Sequence, residues 1–161
     1  MELTTDLIAV DSIPDVPGLV FRHFRGEADY PHMVAVISRC KDVDGIERVD
    51  TAEDVARSYA HLSNCDPYRD MIFAQVGDDV IGYGRVTWWQ ESNGERPYIY
   101  LTFGWLLPEW RRRGIGTAML RWQEARLREI AAGHDPDVPR YFQQWVADTE
   151  TATAALVERE G

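Results

Sequence analysis

Apolar and polar positions divide this chain into two helix-period segments, a long strand-period stretch, and a second helix–strand–helix run. Leu19 to Arg25 alternates apolar and polar residues, which predicts a first strand. Met33, Val34, Ile37 and Cys40 share a face at helical spacing, so Asp29 to Cys40 reads as a helix. Thr51, Ala52, Glu53 and Asp54 form a helix-start signature, and Val55, Tyr59 and Leu62 carry the stripe of a second helix ending before Asn64. From Asp70 the period becomes two. Met71 to Val76 and Val80 to Trp89 flank Gly77, Asp78 and Asp79, a hairpin turn. Ser92, Asn93 and Gly94 mark the next turn, and Pro97 leads into a third strand, Tyr98 to Leu107. A helix after Gly116 buries Leu120, Leu127, Ile130 and Ala131 and ends near Gly133. Tyr141 to Ala147 reads as a fifth strand and Thr151 to Arg159 as a closing helix. The first eighteen residues, with Pro14, Pro17 and Gly18, read as an arm on the domain edge.

The junction between the third antiparallel strand and the helix after it carries the chemistry. Arg111, Arg112 and Arg113 stand directly before Gly114, Ile115, Gly116 and Thr117. Glycines let a backbone approach an anion, the first amides of a helix lack internal partners, and the helix dipole favours negative charge there. Arginines add charge-assisted hydrogen bonds to phosphate oxygens. A dinucleotide fingerprint needs a small residue where Met119 stands. A Walker loop needs a lysine after its glycines, and the sole lysine is Lys41.

Composition sharpens that reading. Seventeen Lys and Arg against 27 Asp and Glu give a net charge of -10, which disfavours nucleic acid and anionic membranes as partners. The basic triplet is therefore a local anion site. At 161 residues the chain is sized for one domain. It shows no secretory or membrane-spanning segment, so a cytoplasmic location with reduced Cys40 and Cys65 is expected. His61 and Cys65 stand four apart, but two ligands make no metal site, and no metal is expected.

Arg111, Gly114 and Gly116 fit Arg/Gln-x-x-Gly-x-Gly/Ala after an apolar strand with Pro108 three residues before the arginine. This resembles the acetyl-CoA signature of the GNAT superfamily of N-acetyltransferases, and the order of elements matches that fold over nearly the whole chain. The resemblance implies an α/β (α+β type) domain with a mixed, mostly antiparallel sheet flanked by helices. It implies that Tyr98 to Leu107 and Tyr141 to Ala147 run parallel and splay around the pantetheine arm of acetyl-CoA. Arg111, Arg112, Arg113, Gly114, Ile115, Gly116 and Thr117 would hold the pyrophosphate, with Trp105 and Leu106 also against the cofactor. Gly104 through Leu106 would polarise the thioester carbonyl. Gly104 has an alternative reading as a strand bulge.

Some family members carry a glutamate base where this chain has Tyr100. A tyrosine there acts through water or on the substrate, since its ordinary pKa is too high for a base. Asp148 and Glu150 are alternative bases, favoured instead as helix caps. The tyrosine that commonly reprotonates the departing thiolate is replaced by Val157, which has no proton to give. The family normally continues into two more strands where this sequence reaches Gly161. The domain is thus expected to be C-terminally incomplete, its open sheet edge covered by a second GNAT domain or a second copy. Transfer from acetyl-CoA to a small-molecule or peptide amine is the leading expectation. A non-catalytic CoA-binding module is the alternative. A cysteine nucleophile is disfavoured because neither thiol has an evident histidine partner.

Overall fold

The computed structural model describes residues 6–47, 50–146 and 149–161. Five strands form one sheet in the order β1-β2-β3-β4-β5: β1 Leu19–Arg22, β2 Met71–Val76, β3 Asp79–Gln90, β4 Tyr98–Leu106 and β5 Arg140–Gln144. The first four pair antiparallel with their sequence neighbours, and β5 joins β4 in parallel. That single parallel pair follows from the helix between them, because a crossover returns the chain in the same direction.

Two helices cover one face. The first, α1 (Tyr30–Asp44), runs four residues beyond its apolar stripe and stops at Gly45, whose left-handed φ of 63° closes the helix. The next, α2 (Ala52–Tyr59), starts with a full capping box between Thr51 and Asp54 and is shorter than its stripe suggests. A one-turn helix, α3 (Pro67–Asp70), begins at the Asp66 cap. Periodicity cannot reveal an element of four residues. The opposite face carries α4 (Ile115–Ala131) and α5 (Thr151–Glu160).

The main core joins Met33, Val36 and Ile37 of α1 to Phe21, Met71, Phe73 and Ile81 of the sheet, with Ile115 and Met119 closing it from α4. A smaller cluster of Val86, Tyr100, Leu127 and Ala131 sits under the far end of α4. In the described part of the amino-terminal arm, Ile8 donates its amide to the Phe21 carbonyl, and Ile8, Val10 and Val16 pack on the core. Among the described residues the expected fifth strand is shorter, ending at Gln144, while Ala147 and Asp148 lie outside them. Glu150 precedes α5 but makes no side-chain cap bond, so the expected cap there is not formed.

Candidate active site

The β4–β5 ladder runs from Tyr98 opposite Arg140 to Thr102 opposite Gln144 and stops. Its last rung is reinforced by the Thr102 hydroxyl donating to Gln144 Oε1 at 2.9 Å. Beyond it β4 continues for four residues paired only with β3. The Tyr98 amide donates to Pro139 on the β5 side. Amide direction alternates along a strand, so the Gly104 and Leu106 amides face the edge that β5 has left. The Trp105 amide turns toward β3, opposite Tyr83, and its side chain packs half-buried on the main core.

Burial follows the same division. Ile99 through Thr102 are buried, whereas Phe103 through Leu106 are each half-open. Gly84 and Gly104 face one another across β3 and β4. A Cβ on Gly84 would stand 2.7 Å from Gln123 Nε2 and 2.9 Å from the Phe103 carbonyl, whereas one on Gly104 would meet nothing nearer than 3.9 Å. Gly84 is therefore demanded by the approach of α4, and Gly104 leaves open space. The β3–β4 register runs unbroken through Gly104, so the bulge reading fails there. The register shift in this sheet lies instead at Ala74 and Gln75.

The loop after β4 delivers helix amides to the same end. Leu107 donates to Ile81, the chain turns through a 3-10 segment at Pro108–Trp110, and Arg112 and Gly114 take left-handed φ values of 62° and 84°. Left-handed residues interleaved with others form backbone concavities that suit anions. Gly114 caps α4 with no side-chain hydrogen bond, so the Ile115, Gly116 and Thr117 amides stay without internal partners at the positive end of a 17-residue helix. Gly116 has a packing role too, since a Cβ there would sit 3.3 Å from Leu156 of α5.

The three arginines separate by role. Arg111 grips Asp44 at the end of α1 through two bonds of 2.7 Å, and its Nε donates to the Leu106 carbonyl at 2.9 Å. Both partners are largely buried. The hydrogen bond to Asp44 raises the Arg111 pKa further above its already high range. Its guanidinium thus fixes the loop to α1. Arg112 and Arg113 are exposed, and Arg113 stacks its cation 5.2 Å over the Trp110 ring.

Tyr100 lies on the other half of β4, opposite Phe142 in the paired ladder. Four residues of strand at about 3.3 Å each put it on the order of 13 Å from Gly104. Its ring is buried, and its hydroxyl meets His134 Nδ1 at 2.7 Å. Burial raises the Tyr100 pKa. His134, which sequence reasoning did not single out, is stacked 4.4 Å from Tyr98 and tilted 4.3 Å from Trp88, and burial lowers its pKa. The structure does not bring Tyr100 to the gap beside Gly104.

On the face opposite α4, the open half of β4 has an aromatic floor. Trp145, 60% exposed, meets Phe103 edge-on at 5.8 Å and Trp89 at 6.3 Å. Arg85 stacks between Phe103 at 4.9 Å and Tyr59 at 5.4 Å. Burial pushes the Cys40 and Cys65 thiols up to about 11, so both stay protonated near neutrality. Cys40 is further occupied, donating to the Leu106 carbonyl at 3.3 Å. A hollow of about 770 Å³ lies between the amino-terminal arm and the flank of α4, lined by Arg113, Gly114, Thr117, Arg121 and Trp122, so it opens beside the loop and not between β4 and β5. Among the described residues no group of three or more His, Cys, Asp or Glu gathers for a metal, and no helix is long and apolar enough to cross a membrane.

Comparison with known proteins agrees with this geometry. Residues 35–158 match the model of the acetyltransferase (GNAT) family. No curated protein matches the sequence. A GCN5-related N-acetyltransferase from Sphaerobacter thermophilus superposes with a TM-score of 0.76 at 22% identity over 93% of this chain, and this chain spans only 44% of that one. A Salmonella typhimurium protein solved with its cofactor acetyl-CoA gives 0.64 at 14% identity, covering 89% of this chain and 79% of its own. The ribosomal-protein-alanine N-acetyltransferase of Brucella melitensis gives 0.61 at 17%, covering 88% and 82%. At such identities these structures share the fold.

Proposed function

The chain belongs to the GNAT family of acetyltransferases, and from that premise we propose that it moves the acetyl group of acetyl-CoA to an amine by direct attack within a ternary complex. One observation carries the reading. The Gly104 and Leu106 amides line an edge from which β5 has withdrawn, at the same end as the uncapped amides of α4. Pyrophosphate at the Ile115, Gly116 and Thr117 amides, with Arg112 and Arg113 beside it, would direct a pantetheine arm along that edge. The thioester carbonyl then meets the Gly104 amide, which is fixed before the reaction and stabilises the developing oxyanion, while the Leu106 amide, about 6.6 Å further along the strand, meets the pantetheine arm. The amine nitrogen forms a bond to the carbonyl carbon, the carbon–sulfur bond breaks, and CoA leaves as thiolate. The amine must lose a proton and the thiolate must gain one. Val157 supplies none, so water does.

Arg111 contributes indirectly, by holding the Leu106 carbonyl and Asp44 so that the loop keeps its shape. Val157 also favours a second reading, a module that binds the cofactor without turnover. Release of CoA from acetyl-CoA over a panel of amines separates the two. The transferase consumes thioester with at least one amine class; the module binds and consumes none. The exposed edge of β5, with Tyr141 and Phe142 half or more exposed, supports covering by a second GNAT domain or a second copy.

A further inference from the structure

Arg85 is a half-buried cation on the floor beside the gap, and among the described residues no carboxylate lies within ion-pairing distance of it. The other largely buried arginines of this protein each have a carboxylate: Arg22 has Asp29, Arg111 has Asp44 and Arg126 has Asp70. Arg85 has only ring faces, those of Phe103 and Tyr59, and the Cys65 thiol. Its guanidinium carbon lies over both rings, and the N–H groups that Cys65 does not engage are placed to receive a carboxylate. Its place in the sheet gives that edge a target. Arg85 is the cross-strand partner of Phe103, the residue immediately before Gly104.

We propose that Arg85 anchors a carboxylate of the acceptor, so that the substrate is an amino acid or peptide amine whose acidic group lies a few bonds from the nitrogen. This rests on the acetyl-transfer reading above. The anchored carboxylate holds the amine over the open half of β4, and the rings of Phe103, Trp89 and Trp145 receive an apolar or aromatic side chain next to it. A stacked arginine whose counter-ion arrives with the substrate also discriminates strongly, because an amine lacking the acid leaves the cation unmatched.

The test uses two bisubstrate compounds, in which the sulfur of CoA is joined through an acetyl linker to the amine of phenylalanine or of phenethylamine. Calorimetric titration needs no turnover. The phenylalanine compound is expected to bind about 10- to 100-fold more tightly, the range of a charge-assisted pair. Arg85→Gln should erase that difference while leaving the acetyl-CoA Kd within about twofold, and Arg85→Lys should restore part of it; retained acetyl-CoA binding also shows that the variants fold. Equal binding of both compounds to the wild-type protein would overturn the carboxylate anchor alone. Failure of either compound and of acetyl-CoA to bind would overturn the transferase reading beneath it.

Discussion

The two halves of β4 belong to one strand and differ in everything that decides what they do. Tyr98 to Thr102 is paired on both edges, buried from Ile99 onward, and roofed by α4 with His134 stacked on Tyr98. Phe103 to Leu106 is paired on one edge only, half-open, and flanked by an uncapped helix end. The first half sets the sheet, and the second leaves open the backbone amides that the first spends on its neighbour. A closed strand and an open edge thus need no difference in residue class, only the withdrawal of one partner strand.

The largest expected effect tests what holds the open half in place. Arg111→Ala leaves Asp44 buried without its cation, which costs about 3–5 kcal/mol of stability. Urea unfolding would register it as a lower midpoint. A midpoint near wild type would mean that Arg111 is a solvated loop residue after all.

The facing glycines sharpen the contrast further. Gly84→Ala pushes a Cβ against Gln123 and the Phe103 carbonyl and is expected to destabilise by about 1–3 kcal/mol, whereas Gly104→Ala, with open space, should change stability by less than about 0.5 kcal/mol. Equal losses in thermal melts of the two variants would erase the distinction between the closed and open positions.

Tyr100→Phe removes the hydroxyl from His134 and should cost about 1 kcal/mol of stability, with kcat within twofold of wild type. A tenfold fall in kcat at unchanged stability would return Tyr100 to the chemistry. His134 gives the smallest effect. Burial lowers its folded-state pKa below the ordinary 6.5, so the unfolded chain binds the proton first. Its contribution to stability is then complete above about pH 6.5 and declines as pH falls from there toward the folded value. His134→Gln should flatten that part of the stability–pH curve, and an unchanged slope would count against the assignment.

Much of this was readable from residue order, and the exceptions have physical causes. The hairpins at Gly77 and Gly94 and the long strands stand where alternation and turn chemistry put them, because both signals are local. The glycines before α4 marked the start of that helix for the same reason. What side chains reach across the fold is not local. Arg111 belongs to Asp44, 67 residues away, and only packing reveals that one arginine of a triplet is structural. The period of two grouped Tyr100 with Gly104 on one face, yet could not tell that β5 covers one and leaves the other. Arg85 looks like any strand arginine in the sequence because the lack of a carboxylate beside it among the described residues is a property of space, and His134 lies in a loop whose three surrounding aromatic rings only the fold brings together.

The central claim is that the open half of β4, together with the first amides of α4, binds acetyl-CoA while the closed half does not take part. Calorimetric titration of acetyl-CoA into the wild-type protein, Gly104→Val and Tyr100→Phe tests it directly. Binding at one site per chain is expected, weakened tenfold or more by Gly104→Val and unchanged by Tyr100→Phe. No binding to the wild-type protein, or a loss confined to Tyr100→Phe, would contradict it.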